Sequence, residues 1–105
     1  MLKIHDVMLG VIRQMRPLMA AIERADTQLA RQLRASASSV ALNIAEGGGS
    51  FGGTRRERYR SALGSARETL SNLQTAEAFG YVGALPSELL APMNQVIGTL
   101  VRVAR

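Results

Sequence analysis

Residues Leu33 to Arg60 constrain the fold of this 105-residue chain more than any other stretch. They read LRASASSVALNIAEGGGSFGGTRRERYR: a small-residue helical pattern, a glycine-rich break, then an arginine-loaded helix start. Before the break, Ala, Ser, Val and Ile recur at helical spacing on the face that would meet other helices. The run Gly47-Gly48-Gly49-Ser50-Phe51-Gly52-Gly53 reads as a segment that helix interiors exclude. Gly47 is the residue expected to close the preceding helix in the left-handed conformation. Thr54 followed by Glu57 has the capping-box pattern, so a new helix is expected to open there. The stretch thus predicts a helical hairpin, with the rest of the chain laid against it.

The remaining sequence supplies those helices. A first helix is expected from about His5 or Asp6, with Ile4, Met8, Val11, Ile12, Met15, Leu18, Met19 and Ile22 as its apolar stripe. Pro17 interrupts the stripe without shifting its phase, which predicts a kink rather than a stop. Asp26 suits the N-cap of a second helix starting near Thr27. Leu29, Leu33, Ser36, Ala37, Val40, Ala41 and Ile44 carry that helix to Ala45. A third helix, about Arg55 to Phe79, has the stripe Tyr59, Ala62, Leu63, Ala66, Leu70, Leu73 and Ala76, and Gly80 terminates it. Gly64 inside it costs about 1 kcal/mol relative to Ala, which predicts a tight contact with a neighbouring helix. Pro86 is expected as the first residue of a fourth helix bearing Leu89, Leu90, Met93, Val96, Ile97, Leu100 and Val101. Pro92 leaves its start open: near Ser87 with a kink, or regular only after the proline. Four amphipathic segments with short connections describe a single domain over residues 1–105, an all-α antiparallel up-and-down four-helix bundle.

Composition narrows the function. Hydrophobic residues make up 47%, charged residues 20% and aromatics 4%. An aliphatic, Ala-rich core suits close-packed helices better than a sheet. A chain this short leaves much of its surface exposed, so self-association is expected. There is no Cys, hence no disulfide, thiol nucleophile or thiolate metal site. The N-terminus shows no signal-type apolar run, and no segment approaches the roughly 18 apolar residues of a membrane span, so a soluble, cytoplasmic protein is expected. Net charge is +5 and the isoelectric point about 11.1. That balance fits nucleic acid or another polyanion as partner.

Most familiar chemistries find no footing. Gly47-x-Gly49-x-x-Gly52 matches the dinucleotide pattern formally, but that pattern needs a preceding strand, and a helix precedes it here. His5 is the single histidine, so neither a typical zinc site nor a His-activated nucleophile assembles. Ser36, Ser38, Ser39 and Ser65 read as small packing residues bonding back to helix backbone. Glu46 and Glu68 find no other sign of a substrate pocket, so no metal, cofactor or catalysis is expected. Glu46, in the last turn of its helix, is expected to accept from loop amides or from Arg56 or Arg60 and so pin the hairpin. Arg55, Arg56, Arg58 and Arg60 crowd the start of the third helix, where positive charge is unfavourable and a bound anion would offset it. Arg31 and Arg34 precede the same hairpin, up to about 20 Å away along the helix. Phe51, Tyr59 and Tyr81 are the aromatics available for stacking on bases.

Several segments together carry a resemblance: Leu29-Ala30-Arg31-Gln32-Leu33-Arg34-Ala35, the run from Ser38 to Gly47, Ala62 to Glu68, and Gly80-Tyr81. They resemble the four-helix-bundle proteins named after those encoded in intervening sequences of bacterial 23S ribosomal RNA genes. That family also includes accessory proteins of diversity-generating retroelements. The likeness spans nearly the whole chain and is most specific at Asn43-Ile44-Ala45-Glu46-Gly47 and at Gly64-Ser65-Ala66-x-Glu68. It implies an antiparallel four-helix bundle, a ring-like homopentamer and no known catalysis. For the retroelement branch it implies a basic surface that contacts nucleic acid and a reverse transcriptase; the chain departs from that branch in lacking a charged tail, and the enzyme partner is not carried over. The reading is a non-enzymatic, self-assembling bundle whose Arg-rich surface meets the backbone of RNA or DNA. The competing reading is a scaffold for another protein, with the arginines serving solubility.

Overall fold

Every helix carries buried residues at alternating three- and four-residue steps, and this repeat sets the architecture. The computed structural model describes residues 3–105, which form four α-helices and, among the described residues, no strand. They are α1 (Ile4–Ala25), α2 (Thr27–Gly48), α3 (Gly52–Ala78) and α4 (Ser87–Val103). The buried series is Ile4, Met8, Val11, Met15 and Ile22 on α1, and Ala30, Leu33, Ala37, Val40, Ile44 and Gly47 on α2. It continues with Tyr59, Ala62, Ala66, Thr69, Leu73 and Ala76 on α3, and Leu89, Met93, Val96 and Leu100 on α4. Such spacing keeps one seam facing a nearly parallel or antiparallel neighbour and gives the shallow crossings of helical bundles.

Each helix packs on two others, α1 on α2 and α4, and α3 on α2 and α4, with α2 and α3 the most closely joined. The contacts fix the directions. Arg60 near the start of α3 reaches Ala104 just past α4, Arg55 reaches Gly47 at the end of α2, and Tyr81 after α3 reaches Asp26 at the start of α2. Successive helices therefore run antiparallel, in a body of 42 × 25 × 19 Å.

The ends of the helices bear out some expectations and correct others. Asp26 caps α2, its carboxylate accepting from the Leu29 amide at 2.9 Å. Gly80 closes α3 with φ +77: its amide donates to Glu77 and that of Tyr81 to Ala76, the paired bonds of a Schellman end. Pro17 and Pro92 lie inside α1 and α4, which run through them, and α4 begins at Ser87. Pro86 is the N-cap and not the expected first helical residue, which is Ser87.

The glycine-rich break is shorter than its composition suggests. Only Gly49, Ser50 and Phe51 lie outside helices; Gly47 and Gly48 continue α2 beyond Ala45, and Gly52 and Gly53 begin α3 before Arg55. Gly47 is therefore not a left-handed cap, and α2 ends at Gly49 with φ −93. The Thr54–Glu57 capping box does not form, because Phe51 is the N-cap of α3 and no side chain caps this end. Gly64 is exposed, and a Cβ there would meet nothing within 4 Å, so the expected close helix contact is absent within the chain.

Candidate nucleic-acid interface

The α2–α3 turn is built around an approach that only glycine permits. A Cβ on Gly47 would lie 2.8 Å from Tyr59 Cδ1 and closer still to Cε1. The Tyr59 ring, 5% exposed, fills that place and closes this end of the core. Tyr59 is thus a packing residue and not available for stacking on bases. Ser50 fastens the turn by donating its hydroxyl to Glu46 O at 2.7 Å and its amide to Gly47 O at 3.2 Å. Arg55 Nε donates to Gly47 O at 3.1 Å and Ser50 O at 2.8 Å. Its guanidinium carbon stands 5.6 Å from the centroid of the Phe51 ring, within cation–π range. Phe51 itself is 82% exposed.

The arginines expected as one cluster have separate jobs. Glu46 pairs across the hairpin with Arg58 at 2.9 Å, and not with Arg56 or Arg60 as expected. The register explains it: Arg58 lies one residue before buried Tyr59, which packs on Gly47 beside Glu46. Arg60 Nε donates to Ala104 O at 3.1 Å and ties α3 to the end of α4. Arg56 is exposed, with no hydrogen-bond or ion-pair partner among the described residues. Arg34 forms a two-pronged bond to Glu23 at 3.1 Å, and Arg31 is exposed nearby. Arg34 is thirteen residues from Gly47, about 20 Å along α2. Arg31 and Arg34 therefore belong to the opposite half of the bundle and not to the loop cluster.

Charge follows the same division. The half that carries the α2–α3 turn holds Lys3, Arg55, Arg56, Arg58, Arg60, Arg102 and Arg105 against Asp6, Glu46 and Glu57. The other half, with the middle of the bundle, holds the remaining six cations and five carboxylates. The manner of pairing sharpens the contrast. Arg34 in one half and Arg58 in the other each donate to a carboxylate, which offsets their charge. Arg55 and Arg60 donate to backbone carbonyls, which fix the guanidinium while leaving its charge uncancelled. The turn end is thus both positive and positionally fixed.

Sequence reasoning overlooked a polar seam between α2 and α3. Thr69 Oγ1 donates to Ser36 Oγ at 3.0 Å and to Ser65 O at 2.8 Å, and Asn72 Nδ2 lies 3.4 Å from the same Ser36 hydroxyl. One turn nearer the glycine loop, Ser39 and Ser65 share a 2.8 Å hydrogen bond, and Asn43 Nδ2 donates to Ser39 O and Oγ. Asn43 and Ser65, which lie in the two motifs where the resemblance is most specific, thus share one hydrogen-bonded chain through Ser39. Ser36 and Ser38 also bond back to their own helix, as expected of them. Thr69 falls on the three-four repeat of α3, a signal that an apolar stripe alone passes over. Glu68 is exposed and has no polar partner among the described residues.

The opposite end offers a different surface. Phe79, 66% exposed, stacks on Tyr81 at 5.3 Å between centroids and 13° between planes. Tyr81 donates its hydroxyl to Asp26 Oδ2 at 3.2 Å. Desolvation first, then the Asp26 charge, then this bond hold the Tyr81 hydroxyl above its ordinary pKa of 10.0. A groove of about 440 Å³ between α1 and α2 is lined by Ile12, Met15, Met19 and Ala37 with Arg16, Arg34 and Ser38. Among the described residues no three His, Asp or Glu side chains gather as a metal set, and no helix is long and apolar enough to cross a membrane.

A family model described as 23S rRNA-intervening sequence protein matches residues 9–101. The match spans all of α2 and α3 and most of α1 and α4, and so includes the turn and the polar seam. Searches of curated proteins and of solved structures returned no match.

Proposed function

Because this chain belongs to the 23S rRNA-intervening sequence protein family, we propose that it is a non-enzymatic, cytoplasmic bundle that assembles with copies of itself and offers its basic end to a nucleic-acid backbone. The pentameric count comes from the family resemblance. One observation carries the reading: seven cations against three carboxylates occupy the turn end, and two of those arginines are fixed by neutral carbonyls. Fixed, uncancelled positive charge favours phosphates without regard to sequence.

Light-scattering mass, measured with and without a mixed-sequence nucleic acid at low and high salt, tests it. The expected result is a homo-oligomer that gains nucleic-acid mass at low salt and releases it steeply as salt rises. Replacing Arg56 and Arg105 by Ser, which breaks no hydrogen bond of the fold, should weaken binding and lower the salt slope by about one per lost phosphate contact. A monomer would overturn the assembly claim. An oligomer indifferent to nucleic acid at low salt would favour the second reading, a protein scaffold, to which the apolar groove between α1 and α2 lends support.

A further inference from the structure

Two phenylalanines stand out of this bundle, and their surroundings differ in a way that points to a ligand. Phe79 lies in the half where six cations meet five carboxylates, and Tyr81 already stacks on its ring. Phe51 lies at the positive end, and the guanidinium of Arg55 stands against its ring while 82% of the residue remains open. A lone exposed aromatic on a loose loop would be ordinary surface. Phe51 is not on a loose loop. Its neighbours are tied back at four points: Ser50 Oγ to Glu46 O, Ser50 N to Gly47 O, and Arg55 Nε to Gly47 O and Ser50 O. Gly52, at φ +56, then turns the chain into α3.

We propose that Phe51 and Arg55 form a stacking platform for one unpaired base, so that the basic end prefers single-stranded nucleic acid to duplex. The proposal rests on the reading that this end meets a nucleic acid. An unpaired base offers a flat π-face, which the open side of the Phe51 ring accepts whatever the base. The Arg55 guanidinium reinforces the ring from its other side and supplies charge for the adjoining phosphate. Because the turn is already fastened, the ring does not have to be ordered on binding. In a duplex the bases are stacked on one another, so their faces are closed to Phe51 and only the phosphate contacts remain.

Fluorescence anisotropy with a labelled mixed-sequence oligonucleotide, single-stranded and annealed to its complement, tests this on the full chain. The wild type should bind the single strand more tightly than the duplex at the same salt. Phe51→Leu, which keeps an apolar side chain but removes the π-face, should lose roughly tenfold on the single strand, within the range for one base–aromatic stack, and nothing on the duplex. Phe51→Tyr should retain the wild-type preference. If Phe51→Leu binds the single strand as the wild type does, while Arg56→Ser weakens single strand and duplex alike, the platform is wrong and the basic interface stands. If the wild type binds neither form at low salt, the interface reading fails and the platform with it. If Phe51→Leu lowers the assembled mass in light scattering, Phe51 belongs to a contact between copies, and the proposal is overturned.

Discussion

The two ends of this bundle solve the same problem, closing an antiparallel helix pair, with opposite chemistry. At the end formed by the α1–α2 turn and the Gly80 connection, carboxylates close the chain. Asp26 caps α2 and accepts from Tyr81, Glu23 holds Arg34, and Glu77 Oε2 accepts from the Leu85 amide. At the α2–α3 end, one ion pair, Arg58–Glu46, accompanies a closure that is otherwise steric and carbonyl-based: the Gly47–Tyr59 approach, and Arg55 and Arg60 spending donors on backbone oxygens. Carboxylate closure neutralises arginine; carbonyl closure preserves its charge. Arginine is thus neutralised where it meets Glu23 and, at Arg55 and Arg60, held in place with its charge intact.

The largest expected effect comes from removing the steric half of that contrast. Gly47→Ala places a methyl against the Tyr59 ring and forces α2 and α3 apart at the turn. Overpacking of this kind costs about 1–3 kcal/mol, which denaturant unfolding would resolve. The carbonyls that hold Arg55 move with Gly47, so the variant should also weaken nucleic-acid binding. A variant of wild-type stability would show that the turn end yields more easily than the fixed Tyr59 ring implies.

The fold was legible in the sequence where one force dominated. The apolar stripes locate all four helices, and Asp26 and Gly80 announce their ends because a cap and a left-handed residue are local requirements. The turn was misread because three consecutive glycines look like backbone freedom. Gly47 lies three residues beyond Ile44, on the repeat that Leu33, Ala37 and Val40 establish, and there its missing side chain matters more than its φ. The candidate site was legible in composition but not in arrangement. An arginine cluster shows in the sequence; which guanidinium meets Glu46, which meets a carbonyl and which stays free depends on the register of α3 against α2 and α4. No local rule contains that register.

A smaller effect, of opposite sign, is expected at the glycine whose surroundings the sequence misrepresents. A Cβ at Gly64 meets open space, and the residue is inside a helix, so Gly64→Ala should stabilise the isolated chain by about 0.5–1 kcal/mol. Thermal unfolding at low concentration measures this. If the same variant lowers the assembled mass, the glycine faces another copy, and the tight contact expected from the sequence exists between chains rather than within one.

The smallest effect separates the two closures by pH. The Tyr81 proton is held more tightly in the folded chain than in the unfolded one, whose ordinary value is 10.0. Its contribution to stability is therefore complete below about pH 10 and is lost as pH rises through the higher folded value, where a phenolate would face the Asp26 carboxylate. The α2–α3 end closes instead on the bonds from Arg55 to the Gly47 and Ser50 carbonyls. Alkali should thus loosen the Asp26 end first, seen as a larger fall in unfolding midpoint for the wild type than for Tyr81→Phe. Asp26→Asn, which keeps a side-chain oxygen for the Leu29 amide but removes the charge facing Tyr81, should shrink the fall as well. An equal alkaline fall in wild type and Tyr81→Phe would mean that the Tyr81–Asp26 bond does not hold that end, and that the two ends differ in charge but not in how they close.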